Sequence, residues 1–217
     1  MKRIISCLLL VLCAALSFSC TAADGRNGTP ERSSPAAQTI RTLFETVCPA
    51  DEALEQSRKT GAVVFEKQGC TSGNDVWDAF YQTAMGGSPA AVLCAHYYVL
   101  DKENVSPELY EEEKDQYPKT FFSLIEFDGK EYAVQTRESD AEAPGDRETF
   151  PYLLHRTGDA PSAEALFSSY DIYVLAEDPE VTMEDIWAGL ASSQSGAVIR
   201  HCIVYQNYFG WKADREP

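Results

Sequence analysis

Positive charge is what this sequence has least of. Its 217 residues carry 18 Lys and Arg against 34 Asp and Glu, a formal net charge of −16. A nucleic-acid backbone or a bare anionic headgroup surface would repel such a chain, so neither is expected as a direct partner. Histidine is also scarce, with only His96, His155 and His201, which leaves few imidazoles for acid–base or metal chemistry. The patterns Gly-x-Ser-x-Gly, His-Glu-x-x-His, Gly-x-Gly-x-x-Gly and the phosphate loop are all missing, which weakens lipase, zinc-peptidase, dinucleotide and nucleotide-hydrolase readings. No Cys-x-x-Cys occurs either, so a thioredoxin-type site or zinc ribbon has no support. No cofactor and no metal site are expected.

What is present is an ordinary globular balance, 44% hydrophobic and 24% charged. A domain of this size buries roughly 70% of its unfolded surface and needs no staples to fold.

The N-terminus is the most informative stretch. Met1-Lys2-Arg3 is a short basic segment, and the apolar run Ile4 to Phe18 falls short of the ~20 residues of a spanning helix. It ends in Leu16-Ser17-Phe18-Ser19-Cys20. This resembles the lipobox of bacterial lipoprotein precursors, although Leu16 lies four residues before Cys20 and Ser17 takes the position Leu normally fills. The resemblance covers the first twenty residues. It implies a signal peptide over 1–19, lipidation of Cys20, acylation (palmitate) of the new amine, and a cell-membrane anchor on the extracytoplasmic face. More than one acyl chain gives stable anchoring, at ~0.8 kcal/mol per buried CH2. Ordinary secretion, with cleavage after Thr21-Ala22-Ala23, is the alternative. Residues 20–36 read as a flexible tether rich in Gly, Ser, Pro and charge, followed by a single domain over 37–217. Lipobox, tether and one α+β domain together are similar to small envelope lipoproteins of Gram-positive bacteria.

Seven cysteines are present. Cys7 and Cys13 would leave with the signal and Cys20 would carry lipid, leaving Cys48, Cys70, Cys94 and Cys202. Four cysteines allow three connectivities. Cys48 and Cys70 fall in expected loops, so a Cys48–Cys70 disulfide is the favoured pairing. Cys94 and Cys202 fall in expected buried strands, either paired or free.

Within the domain, Ile40, Leu43, Phe44 and Val47 have helical spacing, and Asp51 to Arg58 is a second helix stopped near Gly61. Gly61 to Phe65 reads as a strand, followed by a loop. A helix from Asp75, capped by Asn74, with Val76, Ala79, Phe80 and Thr83 inward, precedes a strand over Ala91 to Leu100. A similar unit recurs near the end: Tyr173 to Leu175, a helix capped by Thr182, a stop at Ser195-Gly196, and a strand over Ala197 to Tyr205. Each unit predicts a crossover between parallel strands. Asp128-Gly129 predicts a two-residue hairpin with Ile125 facing Tyr132, Ser123 facing Val134 and Glu126 opposite Glu131. The expected fold class is therefore α+β, a mixed sheet with strand–helix–strand units, one antiparallel hairpin and packed helices.

Chemistry-bearing residues are few. His96 and Cys94 share one strand face, and with His201 they are candidates for a metal or nucleophile site; satisfied strand residues are the plainer reading. The acidic run Glu111 to Asp115 reads as a solvated helix face. Tyr97, Tyr98, Tyr110, Tyr117, Tyr205, Tyr208, Phe209 and Trp211 are aromatics able to stack on sugars or hold a peptide, or to close over a core. Tyr208, Phe209 and Trp211 are taken as the candidate binding surface. The function expected is a lipid-anchored extracytoplasmic binding or accessory domain for an envelope protein, peptide or glycan. The alternative is an envelope hydrolase or transferase using scattered acids and His96 or His201.

Overall fold

A computed structural model describes residues 35–103, 105–191 and 198–211. The signal segment, Cys20, the tether up to residue 34 and the Ser195-Gly196 stop lie outside the described residues. The remainder is the expected α+β arrangement: a six-stranded mixed sheet and a three-stranded antiparallel sheet, with helices packed on them.

Two helices come first, α1 (Pro35–Glu45) and α2 (Ala50–Thr60). Gly61, at φ +75°, ends α2 in the left-handed conformation that glycine adopts without strain. β1 (Val63–Glu66) turns tightly through Lys67-Gln68 into β2 (Gly69–Ser72), and α3 (Asn74–Met85) then leads to β3 (Ala90–Tyr98). β1 and β3 run parallel, with Phe65 opposite His96, as the first crossover predicted. After α4 (Pro107–Glu113), β4 (Lys119–Phe127), β5 (Tyr132–Glu138) and β6 (Glu148–Phe150) complete the large sheet in the order β2-β1-β3-β4-β5-β6. Only Pro151 separates β6 from β7 (Tyr152–Asp159), which starts the small sheet. β8 (Ser169–Ala176), α5 (Met183–Ala191) and β9 (His201–Phe209) finish it in the order β7-β8-β9.

Period-two alternation sorts the core. On β3, Val92 and Cys94 face the interior shared by both sheets and α3, while Leu93 and Ala95 face α1 and α2. On β8, Tyr173 and Leu175 face that same interior, while Ile172, Val174 and Ala176 pack with Met183 and Ile186 of α5. A bulge opposite Tyr173–Val174 brings both Val204 and Tyr205 of β9 to the shared core.

Several expectations change. The β4–β5 connection is a four-residue loop, 128–131, because Asp128 Oδ1 accepts hydrogen bonds from the backbone N–H groups of Lys130 (2.8 Å) and Glu131 (3.0 Å) and closes a wider turn. The register therefore shifts: Ile125 faces Val134, Ser123 faces Thr136, and Glu126 faces Ala133 while bonding to Arg41 and Arg147. The last unit is no crossover, since β8 and β9 are antiparallel. On α3 the inward stripe is Trp77, Phe80 and Ala84, with Ala79 and Thr83 exposed. Cys48 and Cys70 are both free; Cys48 packs with α1 and α2 on one side of the large sheet and Cys70 with the shared core on the other, and a disulfide cannot form across a sheet.

Candidate functional site

A wide concavity lies where the β1–β2 hairpin, the end of β3 and the chain just after β9 meet. It is an open groove of about 970 Å³. Each wall has a local cause. Hairpin tip Lys67 takes φ +53°, unusual for a residue with a side chain, and β9 holds it there. The Tyr208 N–H donates to the Gln68 carbonyl (2.9 Å), and the Cys70 N–H donates to Asn207 Oδ1 (2.7 Å). Gly69 fits this clamp because a Cβ there would sit 2.6 Å from Asn207 Oδ1. Asn207 also donates to the Tyr205 hydroxyl (3.0 Å), which donates to Asn74 Oδ1 (2.8 Å). The hairpin, β9 and the start of α3 are thus one hydrogen-bonded unit.

Glu66 lies on this wall. Burial opposes its ionisation, but hydrogen bonds from Thr71 (2.8 Å) and Arg58 (2.5 Å) outweigh that and hold its carboxyl below the usual range. Tyr97 and Tyr98 form the second wall. The Tyr97 hydroxyl donates to Asp51 Oδ1 (2.7 Å), and desolvation together with that carboxylate pushes its pKa up to about 12. Tyr98 is 43% exposed beside the segment Val99 to Glu103. Trp211 is the third wall. Gly210, at φ +63°, swings the chain there, its Cα so close to Ser168 that a Cβ would meet Ser168 Oγ at 2.6 Å. The Phe167 ring lies nearly parallel to Trp211, 16° off, at 6.5 Å. Beyond Tyr97 a smaller hollow of about 290 Å³ is lined by Tyr110 and Tyr117, and Lys102 sits 5.5 Å over the Tyr110 ring.

The aromatics singled out in the sequence therefore divide. Tyr97, Tyr98 and Trp211 share the groove, and Tyr110 and Tyr117 flank it. Tyr208 turns away to pack against Phe167 (4.6 Å) and the core beneath α5, and Phe209 is half-exposed outside the groove. Glu66, Lys67 and Gln68 were not foreseen, because a turn of Lys-Gln carries none of the Gly, Asn or Pro that marks a hairpin.

The histidines do not converge. His96 stacks on Phe65 at 4.5 Å and 7°, and burial lowers its pKa to about 4. His201 Nδ1 lies 2.7 Å from the Ile199 carbonyl. His155, passed over in the sequence, places Nε2 2.7 Å from Asp171 Oδ1 and stacks on Tyr173 at 4.2 Å. Among the described residues no group of three or more His, Cys, Asp or Glu is arranged to hold a metal ion. No family model, no curated protein and no solved structure matches this chain.

Proposed function

We propose that this protein is a lipid-anchored, extracytoplasmic binding or accessory domain, and that the groove between Lys67, Tyr98 and Trp211 receives its envelope partner, whether protein, peptide or glycan. The groove is the observation that carries this reading: it is wide, it is lined by three aromatics, and its hairpin wall is held to β9 by hydrogen bonds from the Tyr208 and Cys70 N–H groups. The anchor rests on the lipobox-like segment ending at Cys20, which would hold the domain at the membrane despite its acidity. The enzyme alternative gains nothing from His96, which lies flat on Phe65, or from His201, whose Nδ1 faces the Ile199 carbonyl.

The test is crosslinked capture from intact envelopes with the parent chain, Trp211→Ala and Cys20→Ser. Trp211→Ala is expected to lose the captured partner while its melting temperature is unchanged. Cys20→Ser is expected to leave the membrane fraction and lose palmitate label. Capture that is indifferent to Trp211 defeats the groove, and membrane retention without Cys20 defeats the anchor.

A further inference from the structure

Three features of the groove narrow its ligand class, given the reading above that the groove is a binding site. The first is charge. In a chain of net charge −16, the groove is close to neutral: Glu66 is already paired with Arg58, and Asp101 and Glu103 are offset by Lys67 and Lys102. A site selecting a cationic peptide would concentrate the acidity of the chain, and one selecting an anion would reverse it.

The second is backbone. An extended peptide gains affinity by adding to an open strand edge. Among the described residues little open edge adjoins the groove: β3 is paired with β4 along its length and with β1 over Cys94 to Tyr97, the Cys70 N–H of β2 is taken by Asn207, and the Gln68 carbonyl of the turn is taken by Tyr208. The third is the lining itself. The lining combines amphipathic residues, Trp211, Tyr97 and Tyr98, with side chains of both hydrogen-bonding senses, carboxylate, ammonium and the Gln68 amide. Rings that cover an apolar C–H face, beside groups that donate to and accept from hydroxyls, suit a sugar. At about 970 Å³ the groove is at the upper end of the ~300–1,000 Å³ of small-molecule sites, which suits several sugar rings rather than one.

We propose that the groove binds a neutral oligosaccharide, with Trp211 as its stacking platform and Lys67 and Gln68 as hydroxyl partners. Such binding is insensitive to salt, because no ion pair is formed or screened.

The test is calorimetric titration of the detergent-solubilised full chain with four probes: the neutral hexamers of glucose and of N-acetylglucosamine, the anionic hexamer of galacturonate, and decalysine. At least one neutral hexamer is expected to bind, equally at low and high salt. Trp211→Ala should weaken it at least tenfold, and Tyr98→Ala should weaken it with the melting temperature unchanged. Failure of both neutral hexamers to bind, or equal binding by both variants, overturns the proposal. Trp211-dependent binding of decalysine or galacturonate alone also overturns it, while leaving the groove as the binding site. If no probe and no envelope partner depends on Trp211, the groove reading falls with it.

Discussion

Two stretches of this chain look alike as sequence and behave differently as structure. Val63 to Tyr98 and Ser169 to Phe209 each run strand, helix, strand, with connections of nearly equal length, 67–89 and 177–200. In the first the strands are parallel; in the second they are antiparallel neighbours, with Ala176 opposite His201. The difference begins right after the first strand. β1 is followed by the Lys67-Gln68 turn and β2, which carry the chain back along β1 before the helix starts. At that point Gly73, at φ +83°, is packed so tightly on β1 that a Cβ would meet the Ala62 carbonyl oxygen at 2.6 Å. β8 has no such return, so α5 departs from and comes back to the same end of its sheet. One consequence is that α3 contributes to the core between the sheets, while α5 covers the outer face of the small one.

The largest test of that difference is the tryptophan each helix carries. Trp77 is 1% exposed among Phe80, Tyr173 and Tyr205, and its indole N–H, though beside the Tyr173 ring, makes no well-formed hydrogen bond. Trp187 is partly exposed against Tyr170 and Phe167. Trp77→Ala is expected to cost about 4 kcal/mol by cavity formation and Trp187→Ala about half that, measured as denaturant midpoints in urea. Equal costs would mean that the two helices are buried alike.

Periodicity found the helices and most strands, because apolar spacing reports which face is covered. It did not find the direction of β9, because direction depends on where a connection returns, and the β2 return is made by Lys67 and Gln68, residues without a turn signature. The Asp128-Gly129 pair was read as the whole loop; the Asp128 carboxylate extends the turn to Glu131 and shifts each pair along. Of the groove, the aromatics Tyr97, Tyr98 and Trp211 were legible. The sequence did not bring Tyr98 and Trp211 together, since the 2.9 Å Tyr208–Gln68 bond that does so joins distant backbone.

A second contrast is between two stacked imidazoles. His155 on the small sheet has a carboxylate, Asp171, at 2.7 Å, whereas His96 on the large sheet lies on Phe65 and burial alone lowers its pKa to about 4. The unfolded chain therefore binds the His96 proton first, near its ordinary value of about 6.5. The neutral ring contributes its full stability above that pH and loses it as pH falls toward 4. The loss reaches about 3 kcal/mol. Other groups titrate in the same window, so the measurement is a difference: the urea midpoint of the parent against His96→Phe from pH 7 to 4. The variant, which keeps an aromatic ring on Phe65, should lack this part of the slope. Parallel pH profiles would show that His96 is already solvated.

The smallest contrast concerns how the helices start. Thr182 caps α5 reciprocally: its hydroxyl accepts from the Asp185 N–H at 3.1 Å, and Asp185 Oδ2 accepts from the Thr182 N–H at 3.0 Å. Asn74 was expected to do the same for α3, yet the cap position is Gly73, which has no side chain to offer, and Asn74 Oδ1 accepts from the Tyr205 hydroxyl. Thr182 and Asn74 differ in what they couple to. Thr182→Ala should cost about 1 kcal/mol, with the same value in a Tyr205→Phe background, because nothing in that cap reaches β9. Asn74→Ala should cost less in Tyr205→Phe than in the parent, with a coupling of about 0.5–1 kcal/mol, because the hydroxyl that needed Asn74 is already gone. A cycle of zero coupling would return Asn74 to the role of a local cap and cut the link between α3 and the strand that holds the groove hairpin in place.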